Sequence, residues 1–261
     1  MVQSIRELVA RRDLLYILAW REIKVRYKQS VMGFLWAVLM PLVIVCSGVV
    51  VRFAFSHVSG NPVELHEITG VAVKAVPWAF VVGAIRFGTN SLISNSNLVT
   101  KVYMPRLAFP IAAVCAQLLD FGISAAVITV LLVFAQSGLS LQLLWVPWLI
   151  ACLILLTSGL AVILSAASLF LRDVKYLVDV FLTFAIFFTP VFYESALLGP
   201  WAPLILVNPI SPLLEALTVT VIHHHSPSIP WLCYSLIFTI ITCAGSLAMF
   251  AKLEPLFAES V

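Results

Sequence analysis

The sequence predicts an all-α integral membrane protein with six transmembrane helices, an N-terminal amphipathic interface helix, and a re-entrant external helical hairpin between helices 5 and 6. Hydrophobic residues make up 62% of the 261 positions and charged residues 10%, and the mean hydropathy is +1.09. Soluble domains carry about 25% charged residues, so most of this chain's surface is predicted to face lipid. Lysines and arginines also gather on one side of the predicted spans.

The six spans are predicted where apolar residues run for about 20 positions, the length that crosses a bilayer as a helix. Three of these stretches contain a single charged residue, and the other three contain none. Arg86 lies in the second stretch, Asp120 in the third and Asp179 in the fifth. The stretches cover residues 31–51, 75–98, 107–136, 141–171, 176–193 and 231–251. Together they form one membrane domain over residues 31–251, followed by a cytoplasmic tail over residues 252–261.

A proline-rich apolar segment separates the last two spans. It carries Pro200, Pro203, Pro209 and Pro212, and prolines this dense interrupt a straight helix. Non-helical backbone at membrane depth persists only where protein or a wet cavity surrounds it. We therefore predict a hairpin of short helices on the external face, over about residues 195–222, that does not cross the membrane.

Residues 1–30 are predicted to form a cytoplasmic amphipathic helix that lies in the membrane interface. Apolar and aromatic side chains repeat there at helical spacing, and basic side chains occupy the other side. The two sets are Tyr16, Ala19, Trp20, Ile23 and Tyr27, and Arg21, Lys24 and Lys28. A solvated juxtamembrane tail is the alternative. Dense charges between Arg6 and Asp13 argue against a signal peptide.

The distribution of positive charge predicts that both chain ends lie in the cytoplasm, because membrane proteins retain lysine and arginine on that side. The basic residues on the predicted cytoplasmic side are Arg6, Arg11, Arg12, Arg21, Lys24, Arg26, Lys28, Lys101, Arg106, Arg172, Lys175 and Lys252. Lys74 falls in a predicted external loop, whereas Arg52 and Arg86 lie within or at the edges of spans.

The sequence has no pattern typical of nucleotide hydrolysis, metal binding or a catalytic site, so we expect no cofactor in this chain. Gly83 and Gly88 have the spacing of a phosphate-binding loop, but Thr89 and Asn90 stand where its lysine and hydroxyl residue belong. Consecutive side chains point in different directions, so the histidine run at 223–225 is interpreted as part of a polar external loop. The five cysteines lie in apolar stretches and lack metal-site spacing.

Two arginines in the spans are candidate functional residues, because a charge in hydrocarbon is expensive. Arg86 lies too deep in its span to reach the membrane surface easily, so it must face protein or water. Its guanidinium either binds a phosphate-bearing substrate or forms an internal ion pair with Asp120, and the sequence leaves both alternatives open. Arg52, near the external end of its helix, is interpreted as an interface anchor and is a second candidate for the substrate pathway.

Five motifs follow one another along the chain. They are REIKVRYKQSVMGFLW at residues 21–36 with Pro41 shortly after, KVYMPR at 101–106, FLRDV at 170–174, TPVFY at 189–193 with Asn208 and Pro209 beyond it, and EPLFAE at 254–259. This ordered set resembles the polysaccharide-exporting ABC-2 permeases, and it is closest to their O-antigen branch. The motifs cover nearly the whole chain, and their order matches the predicted topology.

The resemblance implies a half-transporter. Two copies of the chain would form a homodimeric pathway and bind two separate ATP-binding cassette subunits, which hold ATP and Mg²⁺. The cargo would be a lipid-linked polysaccharide, namely O-antigen, capsule or teichoic acid, leaving through the cytoplasmic (inner) membrane. The implied ATPase-docking residues are Lys101, Val102, Tyr103, Met104, Pro105 and Arg106, and the implied external gate is Pro190, Tyr193, Asn208 and Pro209.

Two regions of the chain depart from the family pattern. Tyr103 and Met104 replace an apolar residue and a phenylalanine in the docking loop. No arginine follows Glu215 within a few residues, and Thr218 and Thr220 stand there instead. The docking loop and the external gate are therefore the two regions where this chain is expected to differ from its family.

A phenylalanine stripe on the fifth predicted span is the candidate aromatic lining of the pathway. Phe181, Phe184, Phe187 and Phe188 fall at helical spacing directly before Pro190. Their rings either stack on sugars, with weak contacts that permit sliding, or pack between helices, as aromatic stripes usually do.

Two other functional classes are alternatives to export. An ion-coupled secondary transporter favours inverted repeats with matching broken helices, whereas the prolines here concentrate at residues 190–212. An intramembrane enzyme needs a nucleophile or paired carboxylates, which the sequence does not show.

Overall fold

The computed structural model describes residues 6–8, 10–28, 33, 35–59, 65–101, 104–134, 138, 140–254 and 257, and within those ranges it contains helices and turns but no strand. In chain order the α-helices are α1 (Arg12–Lys28), α2 (Leu35–Ser59), α3 (Leu65–Ser94), α4 (Ser96–Lys101), α5 (Ala108–Phe134), α6 (Trp145–Phe170), α7 (Val174–Ala185), α8 (Ala202–Leu206), α9 (Ile210–Val221) and α10 (Ile229–Leu253). Short 3₁₀ helices cover Leu141–Leu144 and Ser195–Trp201.

Five helices in the described part of the chain are long and apolar enough to cross a membrane. They are α2, α3, α5, α6 and α10, and each coincides with a predicted span. The all-helical membrane class is therefore confirmed. The start of the predicted interface helix, the start of the first span and most of the C-terminal tail lie outside the described residues.

The fifth predicted span is not one continuous helix. Helix α7 has 12 residues and ends at Ala185, and turns follow over residues 186–191. At about 1.5 Å per residue, α7 is about 18 Å long, shorter than the roughly 30 Å of hydrocarbon. Pro190 is the physical reason, because a proline ring clashes with the carbonyl four residues earlier, which here belongs to Ile186.

Helix α3 is the centre of the fold. Its membrane-crossing part is 72% buried, against 18% for α2, 17% for α5 and 22% for α10. It packs against α2, α5, α6 and α9. A Cβ atom added at Gly88 would lie 2.6 Å from the Ala161 Cβ of α6, so the glycine allows this close approach. The outer helices leave apolar surface free for lipid or for another chain.

Helix α3 begins at Leu65, well before the predicted start of its span. Lys74, predicted to lie in an external loop, is therefore inside a helix, where it is almost fully buried. The loop prediction was wrong because a lysine lowers the hydropathy of its segment even when a carboxylate neutralises it in the folded protein. The carboxylate that neutralises Lys74 is distant in sequence.

The predicted interface helix exists as α1, which packs against α5. Leu18 lies outside the predicted apolar stripe, yet it is the buried residue of this helix and joins a cluster that includes Phe109 and Phe250. Tyr16 and Trp20 of the predicted stripe remain exposed. The location of that stripe in the membrane interface stays a prediction.

The proline-rich segment folds as short helices, as predicted: the 3₁₀ helix Ser195–Trp201, α8 and α9. Helix α9 is largely buried and packs against α3, α6 and α10. Ser235 Oγ of α10 donates a 2.9 Å hydrogen bond to the Pro209 carbonyl, at the start of α9. Residues 195–222 are called the hairpin below.

Candidate functional site

A cavity of about 380 Å³ lies between the end of α1 and helices α2, α3, α5 and α7. Two kinds of side chain line it. Aromatic rings come from Trp36, Trp78, Phe80, Phe87 and Phe121, and polar groups come from Arg26, Tyr27, Arg86, Gln117, Asp120 and Ser124. Such a surface offers stacking faces next to hydrogen-bonding groups, a combination that suits a ligand with both apolar faces and hydroxyl or phosphoryl oxygens.

Asp120 anchors the polar side of the cavity. Arg26 Nη1 donates a 2.6 Å hydrogen bond to Asp120 Oδ2 and a 3.0 Å hydrogen bond to Gln117 Oε1. The Arg26 guanidinium lies 4.0 Å from the ring centroid of Phe87, a cation–π contact. One arginine of α1 therefore contacts α5 and α3 together.

The Tyr27 hydroxyl donates a hydrogen bond to Asp120 Oδ1 beside Arg26. Burial, and secondly this hydrogen bond to a carboxylate, raise the pKa of Tyr27 from its ordinary value of 10.0 to about 12. At neutral pH the phenol therefore keeps its proton and holds Asp120 from the side opposite Arg26. Asp120 is thus one of the points where α1 is held against the membrane helices.

Arg86 does not pair with Asp120, so that alternative was wrong. Its Nε donates a 2.7 Å hydrogen bond to Asp179 Oδ1 of α7. The two side chains are 43% and 46% exposed, so water screens the pair and the interaction is weak. Arg86 lines the cavity and keeps part of its guanidinium accessible, which leaves its predicted role in substrate binding open.

The phenylalanine stripe of the α7 segment does not face the cavity. Phe181, Phe184, Phe187 and Phe188 are exposed, whereas Leu182, Thr183 and Ile186 form the cavity wall. Phe187 contacts the ring of Phe192 at 6.5 Å between centroids, but most of the stripe surface is not covered by this chain. Their surface is open to lipid or to a second copy of the chain, and their role in a pathway stays a prediction.

The side chain of Arg52 is largely buried in the fold. Its side chain is 11% exposed, and Nη1 lies 3.3 Å from Glu67 Oε1 at the start of α3. Among the described residues, its Nε has no hydrogen-bond partner. The fold thus brings a carboxylate to Arg52, while its location at the membrane interface stays a prediction.

The predicted gate residues come together at the end opposite α1. Asn208 Nδ2 donates a 3.0 Å hydrogen bond to Thr189 Oγ1, and this joins the Pro190 turn to the Asn208–Pro209 corner. Tyr193 Oη donates to the Phe187 carbonyl at 3.0 Å. The two motifs are thus adjacent in space, and their role as an external gate stays a prediction.

Lys74 is the residue at this end that the sequence analysis missed. Its Nζ donates a 2.6 Å hydrogen bond to the Tyr193 carbonyl and lies 3.8 Å from Glu215 Oε1 of α9. A usable signal was present in the sequence: a single lysine between apolar residues on the side that lacks positive charge is expected to have a buried partner.

Residues 13–222 match the family model described as ABC-2 type transporter, and this match covers most of the chain. The chain belongs to this family. It is 28% identical over 256 residues to the O-antigen export system permease protein RfbA of Klebsiella pneumoniae, with 95% of this chain and 94% of that one covered. It is 26% identical over 270 residues to the O-antigen export system permease protein RfbA of Myxococcus xanthus, with 100% of both chains covered.

The family match of this ABC-2 chain begins in α1 and ends directly after α9. The cavity, the Asp120 cluster, Lys74 and the hairpin all lie inside it. Helix α10 and the C-terminal segment lie beyond it. The site is therefore built from the part of the chain that the ABC-2 family shares.

The predicted docking loop of this ABC-2 chain is described in part. Lys101 ends α4, while Val102 and Tyr103 lie outside the described residues. Pro105 is buried next to the half-buried Met104. The Arg106 guanidinium donates a hydrogen bond to the Glu254 carbonyl and lies 5.9 Å from the Phe257 ring centroid.

Arg106 therefore contacts the C-terminal segment of its own chain. Phe257 is fully buried and also packs against Phe170 and Phe250, with ring centroids 5.7 and 5.1 Å away. The sequence analysis assigned Arg106 to a partner protein. In the described structure Arg106 connects the loop to the C-terminal tail of its own chain. This contact is structural, and the docking role stays a prediction.

The histidine run lies at the gate end of this ABC-2 chain. His223 Nε2 lies 3.3 Å from Glu194 Oε1, across the two ends of the hairpin. Within the described ranges, no group of three or more histidine, cysteine, aspartate or glutamate side chains is arranged to hold a metal ion. His223 is thus placed to close the hairpin stem.

Proposed function

We propose that this ABC-2 family chain is the permease subunit that exports a lipid-linked, O-antigen-like polysaccharide across the cytoplasmic membrane, powered by a separate ATPase. Capsular polysaccharide and teichoic acid are the alternative cargoes for the same mechanism. The observation that carries the proposal is the cavity lined by aromatic rings together with Arg86, Asp120 and Gln117. The sequence of this chain is similar over nearly its whole length to permeases named for O-antigen export, and this supports the choice of cargo.

Each kind of cavity side chain has a chemical role in this proposal. Sugar rings have apolar faces that stack on exposed rings such as Trp36 and Phe87, and hydroxyls that hydrogen-bond to Gln117. Arg26 is already neutralised by Asp120 at 2.6 Å. Arg86 is the more exposed guanidinium, so it is the better candidate for a phosphoryl group of the lipid carrier.

We infer six crossings, with residues 174–193 forming the fifth as a short helix continued by turns. Two contacts along α3 support this. Asp179 pairs with Arg86, and the Tyr193 carbonyl bonds to Lys74, which lies about 18 Å further toward the start of α3 at about 1.5 Å per residue. The segment therefore runs antiparallel to α3 over more than half the thickness of a bilayer core.

We also infer that the hairpin re-enters from the external face and leaves on the same side. Both of its ends lie together, because Glu194 is next to His223 and Ser195 is next to Glu215. A segment whose ends meet makes no net crossing. Both termini then lie in the cytoplasm, as the positive charges predict.

The proposed assembly is a homodimer with two ATP-binding cassette subunits that bind ATP and Mg²⁺. Helix α2 is 18% buried in its membrane part, so most of its apolar surface is exposed, as are the phenylalanines of the α7 segment. A second copy seated on this apolar face would convert the cavity from an open side pocket into a closed pathway. No catalytic residue is assigned to this chain.

Reconstitution tests the proposal directly. The chain is placed in proteoliposomes with a separate ABC-type ATPase subunit, and lipid-linked O-polysaccharide is supplied on the ATPase side. Polymer that reaches the other side is measured by digestion with a membrane-impermeant glycosidase. Transport that requires ATP supports the proposal, and capsular or teichoic polymers supplied in parallel separate the alternatives. Movement driven by an ion gradient without the ATPase would refute it.

A further inference from the structure

Lys74 places a charged group in the interior of the gate end of α3, where the residue is 1% exposed. Its contacts are the Tyr193 carbonyl at 2.6 Å and Glu215 Oε1 at 3.8 Å. A buried ammonium is tolerated only where an opposite charge and hydrogen-bond acceptors surround it. The position of Lys74 therefore depends on two chain segments that are far from it in sequence.

Glu215 connects the same lysine to the hairpin. Its Oε1 accepts a 2.7 Å hydrogen bond from the Ser195 backbone N–H. The pair thus joins α3, the turn that follows Tyr193, and α9. Because Ser195 opens the hairpin and Glu215 lies in its last helix, both arms are held at one point against α3.

The hydroxyl groups of α9 do not take over this function. Thr218 and Thr220 donate hydrogen bonds to the carbonyls of Leu214 and Ala216, which belong to the same helix. Arg52, the other cation at this end, is 3.3 Å from Glu67. Lys74 is therefore the residue that supplies positive charge to Glu215 in the described structure.

We propose that Lys74 is a positioning residue of the external gate: with Glu215 and the Tyr193 carbonyl it forms a latch that holds the hairpin against α3 and separates when polymer passes. The proposal rests on the export function proposed above, because it assumes that a polymer leaves beneath the hairpin. Lys74 touches no cargo and acts by setting the hairpin position.

The chemistry of the latch suits a contact that must open. The Glu215 side chain is 16% exposed and that of Lys74 is 2% exposed, so the pair lies at the border of the protein interior. Separating two apolar surfaces and exposing them to water costs free energy. Ions regain hydration when water reaches them, which offsets much of their lost attraction. The ion pair of the latch is therefore stable while water is excluded from it. Once the hairpin moves away from α3, hydration of the two ions makes their separation less costly.

A reversible cross-link tests whether the hairpin must leave α3. A Cβ at Gly70 would lie 3.4 Å from Thr218 Cγ2, so cysteines at these two positions are close enough to be cross-linked by a disulfide or by a short thiol-reactive linker. The variant Gly70→Cys/Thr218→Cys, with the native cysteines replaced, keeps Lys74 and Glu215. Oxidation is expected to reduce export about tenfold or more, and a reductant to restore it. The oxidised single variants are the controls. Unchanged export by fully cross-linked protein would overturn the proposal.

Thiol labelling tests whether Lys74 holds the hairpin closed. Leu214 of α9 is fully buried, so Leu214→Cys is expected to react slowly with a membrane-impermeant maleimide added outside. Adding Lys74→Met is expected to raise the labelling rate about tenfold, because Glu215 is left buried and uncompensated. Lys252→Met, at the exposed end of α10, is the matched control and should leave the rate unchanged. Equal labelling with and without Lys74 contradicts the latch.

A second variant covers loss of the Lys74→Met protein from the membrane. Glu215→Gln removes the charge but keeps an oxygen that accepts the Ser195 N–H, and it is expected to speed labelling in the same direction. Labelling uses no polymer, so a positive result supports the latch even where O-polysaccharide is not the cargo. Failure of the export function is seen separately, in unmodified protein that moves no polymer. Unchanged labelling in Glu215→Gln protein overturns the latch itself.

Discussion

Arg26 of α1 and Asp120 of α5 form an ion pair with a 2.6 Å contact between Nη1 and Oδ2. The two side chains are 19% and 12% exposed. Through this pair the N-terminal helix is attached to the membrane helices at the edge of the cavity. A movement of α1, for example one imposed by a partner at the cytoplasmic face, would thus act directly on the cavity wall.

The buried position of this pair predicts that Asp120→Asn destabilises the protein by about 3 kcal/mol or more, because Arg26 loses its counter-charge. Asp179→Asn is the matched control, since Asp179 pairs with Arg86 at 2.7 Å but is nearly half exposed. That variant is expected to lose about 1 kcal/mol or less. Unfolding in detergent at increasing denaturant measures both. Equal losses would show that burial does not distinguish the two pairs.

The raised pKa of Tyr27 predicts a stability change at high pH. The value of about 12 in the folded protein exceeds the ordinary 10.0, so the protonated phenol stabilises the fold below pH 10. That contribution is lost as the pH rises from 10 toward 12, when the hydroxyl can no longer donate to Asp120. Thermal unfolding midpoints across this range should fall more steeply for the native protein than for Tyr27→Phe. Parallel curves would contradict this prediction.

The contact between α3 and α6 predicts that Gly88→Ala is harmful. Its new methyl group would lie 2.6 Å from the Ala161 Cβ, and relief of such overpacking typically costs about 1–3 kcal/mol. Gly122→Ala is the control, because a Cβ there meets open space. Thermal unfolding of both variants provides the comparison. Ala161→Gly should recover part of the loss in Gly88→Ala, and failure to do so would place the strain elsewhere.

The exposed phenylalanines predict a loss of transport without a loss of stability. Phe184→Leu/Phe188→Leu keeps apolar bulk but removes the flat rings, so membrane level and ATPase coupling should stay normal while polymer export falls. Phe134→Leu, on the exposed end of α5, is the control and should export normally. Full export by the double variant would remove the stacking role, and its loss from the membrane would favour packing against a second copy.

The buried tail predicts that Phe257→Ala weakens association with the ATPase subunit. Phe257 supports Arg106, and truncating a buried phenylalanine costs about 3–5 kcal/mol, enough to release the tail from the loop. Co-purification of the ATPase with the permease measures this, and the charge reversal Lys101→Glu/Arg106→Glu should have the same effect. Phe238→Ala, on the half-exposed face of α10, is the control. If the Phe257→Ala permease still co-purifies fully with the ATPase, the tail does not contribute to docking.

Hydropathy was sufficient to predict the five long membrane helices, because lipid requires about 20 apolar residues in a row and this is a local property. Clustered prolines likewise predicted short helices around residues 195–222. Helix ends were harder to predict. Helix α3 extends back past Lys74 because Glu215 neutralises that lysine, and no window along the sequence contains both residues.

By itself the sequence determined a helical membrane chain, its short-helix segment, and the presence of Arg86 and Asp120 within long apolar helices. Tertiary structure alone decided how those charges pair. Arg86 and Asp120 both lie in predicted spans, but they do not pair with each other. In the folded protein Asp120 pairs with Arg26, and Arg86 pairs with Asp179. The physical reason is that pairing depends on the depth and rotation of each helix against its neighbours, which packing fixes and spacing along the chain does not.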